Sequence, residues 1–96
     1  MIYVVSKNSV KVDKIEDYIK LAKKLVEATN KFDEGCVEYE LLQDINNTQI
    51  FTMIEQWESK EALDAHLSAT HVQEILPLLR DLRDGAGDVN IYQKVE

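Results

Sequence analysis

Cysteine occurs once, at Cys36, so the chain cannot close an internal disulfide, and a reducing, cytoplasmic setting is the expectation. One proline and three glycines in 96 residues leave little room for disordered linkers. Basic residues are in deficit, 11 against 18 acidic, and the resulting net charge of −7 repels phosphate backbones and anionic lipid. Nucleic acid is therefore excluded as a partner. No apolar run approaches the roughly 20 residues that cross a bilayer, and no basic-then-apolar opening resembles a signal peptide, so no membrane association is expected. Nucleophile-elbow (GxSxG) and glycine-rich phosphate-loop patterns are missing. The HxxxH or ExxH spacing that aligns metal ligands on one helix is also missing: His66 and His71 are five apart across an expected helix break, which argues against a metal.

What is present is one domain's worth of amphipathic pattern, spanning residues 1–96. A chain this short buries only roughly 60–65% of its unfolded surface, so a partner surface would help it. Ile2 to Val10 reads as a strand, apolar on both faces at its start. Asp13 and Glu16 have capping-box spacing, and Ile15, Tyr18, Ile19, Ala22, Leu25, Val26, Thr29 and Phe32 recur at steps of three and four, the mark of a long amphipathic helix. Asp33-Glu34-Gly35 breaks it. Cys36 to Gln43 and Gln49 to Glu58 then form a hairpin across Asp44–Thr48. With Gln43 opposite Gln49, Val37, Tyr39 and Leu41 share a face with Phe51, Met53, Glu55 and Trp57. Cys36, Glu38, Glu40 and Leu42 take the other face with Ile50, Thr52, Ile54 and Gln56.

Ser59 caps a helix over Lys60 to Leu67, whose stripe is Leu63, His66 and Leu67. Thr70 and Gln73 repeat the capping-box spacing before a second stripe, Val72, Ile75, Leu76 and Leu79, which Pro77 should break near Glu74. Gly85-Ala86-Gly87 ends the helical region, and Asp88 to Val95 alternates as the last strand. The order βαββαβ, with the second helix interrupted, predicts an α+β ferredoxin-like fold: a four-stranded antiparallel sheet with its helices on one face. The other face, partly apolar through Leu42, Ile50 and Ile54, predicts a homodimer built sheet against sheet.

The chemistry concentrates between Phe51 and His71. If the helix after the third strand folds back over the sheet, Glu55, Trp57 and His66 share one apolar enclosure. His66 is the first candidate for a general base, since an imidazole titrates near neutral pH; Glu55 is the alternative base or orients the imidazole. Trp57 and Tyr39 offer flat surface and polar tips to an aromatic ligand. His71, at the start of the last helix, is a weaker ligand contact that could bond only to nearby backbone. Cys36 has no histidine partner of the kind that makes a nucleophile.

The runs MIEQWES and ALDAHLSATH, with Glu34-Gly35-Cys36 and Tyr39 before them, resemble the antibiotic biosynthesis monooxygenase family, in particular its small quinol monooxygenases. The resemblance covers most of the chain and implies a dimeric α+β barrel with a pocket between sheet and helices. It also implies oxidation of a phenolic or quinol-like small molecule by dioxygen without flavin, haem or metal, so no cofactor is expected. Catalysis would fall to His66 and Glu55, and substrate contact to Trp57, Tyr39 and His71. Haem-degrading relatives hold iron with a first-strand asparagine; here Lys7 stands at that position and Asn8 is displaced by one place, which argues against haem. An isomerase on the same scaffold, or a non-catalytic dimer that binds aromatic ligands, are the alternatives.

Overall fold

The computed structural model describes residues 1–96. Its elements are β1 (Ile2–Ser9), α1 (Ile15–Phe32), β2 (Cys36–Gln43), β3 (Ile50–Trp57), α2 (Lys60–Ser68), α3 (Thr70–Asp81) and β4 (Asp88–Gln93). The strands form one antiparallel sheet in the order β2-β3-β1-β4, which is the ferredoxin-like arrangement that the pattern predicts. Alternation along β3 is the clearest sequence signal for it. Phe51, Met53, Glu55 and Trp57 are buried and the residues between them are half-buried, because successive side chains point to opposite faces.

The core fills the space between this face and the helices. The buried stripe of α1 is Tyr18, Ala22, Leu25 and Thr29, and Tyr18 meets Phe51 with ring centroids 4.9 Å apart. Phe51, Leu25 and Trp57 are almost wholly enclosed, each stabilising the fold by about 2–3 kcal/mol through removal of apolar surface from water. Helix α1 packs on β2 and α3, leaving the β4 edge uncovered; Val89 and Ile91 stay more than half exposed there.

The hairpin register differs from the expected one by two residues. Gln43 pairs with Phe51, because Asp44 N–H donates to Ile50 C=O at 2.9 Å and the Asp44 carboxylate accepts the N–H groups of Asn46 and Asn47, closing the loop tightly. An even shift preserves the faces, so Tyr39 and Leu41 lie with the buried residues of β3 as expected. Val37 does not. A bulge between Cys36 and Glu38 sets Cys36 opposite Trp57 and turns Val37, half exposed, out of the core.

Three helix-end expectations also change. Lys14, not Asp13, precedes the first turn of α1, with no side-chain cap, because a backbone bond from Lys14 N–H to Lys11 C=O tightens the approach. Ala69, not Thr70, stands before α3; its extended backbone makes the break between α2 and α3. Pro77 leaves α3 unbroken from Thr70 to Asp81. The carbonyl that proline deprives of a partner belongs to Gln73, and both residues are exposed, so the carbonyl is not stranded in the core, while Val72 and Leu79 anchor the helix. Ser59 caps α2 as expected, its Oγ accepting from Ala62 N–H at 3.1 Å.

The α1–β2 turn fits against α2 with no space to spare. Gly35 has φ +79°, and a Cβ built there would lie 2.6 Å from Ala62 Cβ, while its carbonyl accepts from Glu58 N–H at 2.8 Å. Gly35→Ala should destabilise the protein by about 1–3 kcal/mol, from left-handed backbone strain and the clash together. Chemical denaturation reads this directly, and unchanged stability would show that the turn can move away from α2 freely.

Candidate active site

Glu55 and Trp57 are two residues apart on β3 and so face the same way. The chain then turns at Glu58-Ser59, and the capped helix α2 runs back over them, setting His66 against the indole at 4.6 Å between centroids. Tyr39, directly across from Glu55 on β2, completes the cluster, with its ring 5.2 Å from His66 and 6.2 Å from Trp57. Acid, indole, phenol and imidazole therefore do meet in one enclosure.

A cavity of about 260 Å³ lies beside them, with Tyr39, Glu55, His66, Leu63 and Met53 in its wall together with the more than half exposed Val89 and Ile91. Trp57 and His71 are not in that wall. Trp57 has no exposed surface, since α2 folds directly across it; its Nε1–H instead donates to Glu55 Oε1 at 3.0 Å. The indole stands behind the carboxyl rather than against a ligand.

The residue that the sequence reading overlooked is Asp33. It appeared only as part of a helix break, yet its Oδ2 lies 2.6 Å from His66 Nδ1 and 2.9 Å from His71 Nε2. Asp33 ends α1, its own N–H bonded to Thr29 C=O. Glycine at position 35 allows the following turn to approach α2, and His71 arrives on the first turn of α3. His71 bonds not to nearby backbone but across to Asp33 on another element. The spacing argument that kept the two histidines apart also fails, because an extended Ala69 folds α3 back beside α2. One signal was legible: an acid just after a helix, two residues before a glycine.

Asp33, His66 and His71 are the one set of three donor groups whose ligand atoms lie within 4.8 Å of one another, two imidazoles and a carboxylate of the kind that hold divalent transition metals. At 2.6 and 2.9 Å, the contacts are also what two N–H donors make to one carboxylate oxygen. In that arrangement His66 carries its proton on Nδ1, leaving Nε2 as a lone pair with no protein partner.

Burial shifts the two cavity groups in opposite directions. Burial pushes the Glu55 carboxyl up to about 7, only partly opposed by the Trp57 hydrogen bond. Burial lowers the His66 imidazole below its ordinary value, against the Asp33 hydrogen bond and charge, which raise it. Tyr39 is held far up by burial and then by the nearby Glu55 charge, so it stays a phenol. Cys36 rises to about 11, chiefly through burial, which leaves it a thiol without nucleophilic character.

A ferredoxin-like sheet with a ligand-sized cavity between its buried face and the helices, and an acid–base pair in the wall, defines the class. The chain belongs to the antibiotic biosynthesis monooxygenase family, whose model matches residues 1–77. It is similar to a conserved protein from Methanosarcina mazei Go1 (41% identity, TM-score 0.94, covering 98% of this chain and 92% of that one). A crystal structure described as an antibiotic biosynthesis monooxygenase is also similar (27% identity, TM-score 0.93, all of both chains). An uncharacterized protein of Synechocystis sp., sll1783, is 28% identical over 95 residues, 99% of this chain; the chain spans 64% of that relative's length.

Glu55 makes stability depend on pH in a direction that can be worked out. Its native pKa is raised from 4.5 to about 7, so the fold favours the neutral acid, and that favour is present below pH 4.5 and lost as pH rises through 7. Glu55→Gln keeps the acceptor for Trp57 without the ionisation. It should be more stable than the parent by up to about 3 kcal/mol at pH 8, with the gap closing by pH 4.5. Thermal melts of both proteins across that range check it.

Proposed function

We propose that this protein is a cofactor-independent monooxygenase that oxidises a quinol or polyphenolic small molecule with dioxygen, with His66 as general base and Glu55 as its acid partner. The observation that carries the reading is the Asp33–His66 contact beside the cavity. It turns the imidazole so that a basic nitrogen, not an N–H, is free to meet a ligand hydroxyl. A phenolate gives up an electron to dioxygen far more readily than a phenol does, so removing that proton in a sheltered site is the step a protein must supply.

The electrons balance without a reductant. A quinol and dioxygen give a hydroxyquinone and water: the quinol supplies two electrons and the ring carbon that gains oxygen supplies two more. His66 Nε2 takes the first phenolic proton. The phenolate and dioxygen then form a carbon–oxygen bond, and the peroxide oxygen leaves as water with protons returned by His66 and by Glu55, which holds its own proton for about half the time near pH 7. Tyr39, a phenol throughout, offers a hydroxyl to the ligand oxygens. Asp33 acts through His66 and is a positioning residue.

The acid–base pair in the cavity equally favours a second reading, an isomerase that moves a proton with no part for oxygen. Oxygen uptake with a panel of reduced quinones and polyphenols separates the two. Uptake above the buffer rate is expected, surviving exhaustive chelation and abolished in His66→Ala. Product formation under argon would instead favour the isomerase. Asp33→Asn should cut kcat/KM by roughly 100-fold and move the acid limb of its pH profile downward, because the Asp33 hydrogen bond and then its charge are what raise the imidazole. A lower rate with an unmoved limb would make Asp33 merely structural.

We also infer a homodimer. The sheet face away from the helices carries Tyr3, Val5, Ile50 and Ile54, each only half-buried in the single chain, with Val5 paired to Ile54 at its centre, and α3 and α1 occupy the other side. Sedimentation of the parent should give twice the chain mass, and Ile54→Lys should give the monomer. A parent that sediments as a monomer at micromolar concentration would remove this inference.

A further inference from the structure

The cavity has a second pole that the acid–base pair does not use. The chain contains only two arginines, Arg80 and Arg83, and both are in the cavity wall, with Asn8 and Ser6 beside them. Eighteen acidic residues are available to pair with them, yet no carboxylate lies within ion-pair distance of either. The ion pairs are Lys60–Asp64 and the two imidazole contacts of Asp33. An acidic chain that places its only guanidinium groups at one cavity and withholds its own carboxylates from them leaves a place for a ligand's negative charge.

The second observation is at Arg83. Its Nη1 donates to Asn8 Oδ1 at 3.2 Å, while Nε is buried with no acceptor. Buried donors are nearly always satisfied, and one left open beside a cavity marks a missing partner. The group is also held in place. At Gly87 the backbone passes so close that a Cβ would overlap Asn8 Oδ1 and lie 2.6 Å from Arg83 Nη1. Glycine here lets the loop before β4 close over the Asn8–Arg83 pair.

The two poles are separated along β1. Glu55 pairs with Val4, and Asn8 lies four residues further on, about 13 Å at roughly 3.3 Å per residue. Apolar wall, including Met53, Val89 and Ile91, fills the interval. A fused pair of aromatic rings with a polar group at each end is of the length that this separation suits.

We propose that Arg80 and Arg83 form an anion subsite, and that the ligand of this cavity is an aromatic carboxylate. Its hydroxyl lies at His66 and its carboxylate at the arginines. The placement of the hydroxyl rests on the reaction proposed above; the anion subsite does not. Binding is therefore measured without turnover, using two air-stable probes of nearly one shape: 6-hydroxy-2-naphthoate and the uncharged 6-acetyl-2-naphthol.

In calorimetric titrations at fixed salt, the carboxylate should bind about tenfold or more tighter than the ketone, as a charge-assisted hydrogen bond contributes. In Arg80→Gln/Arg83→Gln that preference should fall to within about twofold, while affinity for the ketone, which also reports an intact cavity, stays within about twofold of the parent. Equal affinities in the parent, a preference that survives the double substitution, or no binding of either probe would each overturn the subsite. None of these outcomes depends on oxygen consumption, so the subsite and the monooxygenase reading fail separately.

Discussion

A single carboxylate oxygen organises the candidate site. Asp33 Oδ2 accepts from His66 and from His71, and the three residues come from the end of α1, from α2 and from the first turn of α3. Such a junction costs desolvation of the carboxylate, and two short hydrogen bonds offset that cost only if all three elements are held in register. The constraint therefore runs both ways. It fixes how the helices meet, and it fixes which nitrogen of His66 is left for chemistry. Gly35, pressed against Ala62, is the backbone's accommodation to the same junction.

On the other side of His66 the environment changes from polar to apolar within one ring width. Trp57, fully enclosed, supplies most of that change: it shields the imidazole and spends its one donor on Glu55. The result is a carboxyl raised to about 7 and an imidazole lowered below its ordinary value, both chiefly by loss of water.

The sheet links this site to the rest of the molecule. Its central strands, β1 and β3, place Val4 beside Glu55 and Asn8 beside Phe51, so the acid–base end and the arginine end of the cavity are two stations on one rigid ladder. The helices pack on β2 and β3, while Val89 and Ile91 of β4, which also line the cavity, stay more than half exposed.

Period-two alternation in β3, the three-and-four stripe of α1 and the Ser59 cap were legible in the sequence because each is a local pattern, set by chain geometry within a turn or a strand. They were enough to give the fold and to bring Tyr39, Glu55, Trp57 and His66 to one side of the sheet. The bulge at Val37, the two-residue register change and the continuity of α3 through Pro77 were not legible, since each depends on where neighbouring backbone groups find partners. Asp33 was least visible of all. Its place between a helix end and a glycine marks a turn but names no partner, and its role exists only because His66 and His71, 33 and 38 residues away, are folded onto the same oxygen. The sequence by itself determined which side chains face the core wherever the strand is regular, since that follows from periodicity. Only the tertiary structure decided which of them touch the cavity and which stand behind, since that depends on long-range hydrogen bonds and on which surfaces the helices leave open.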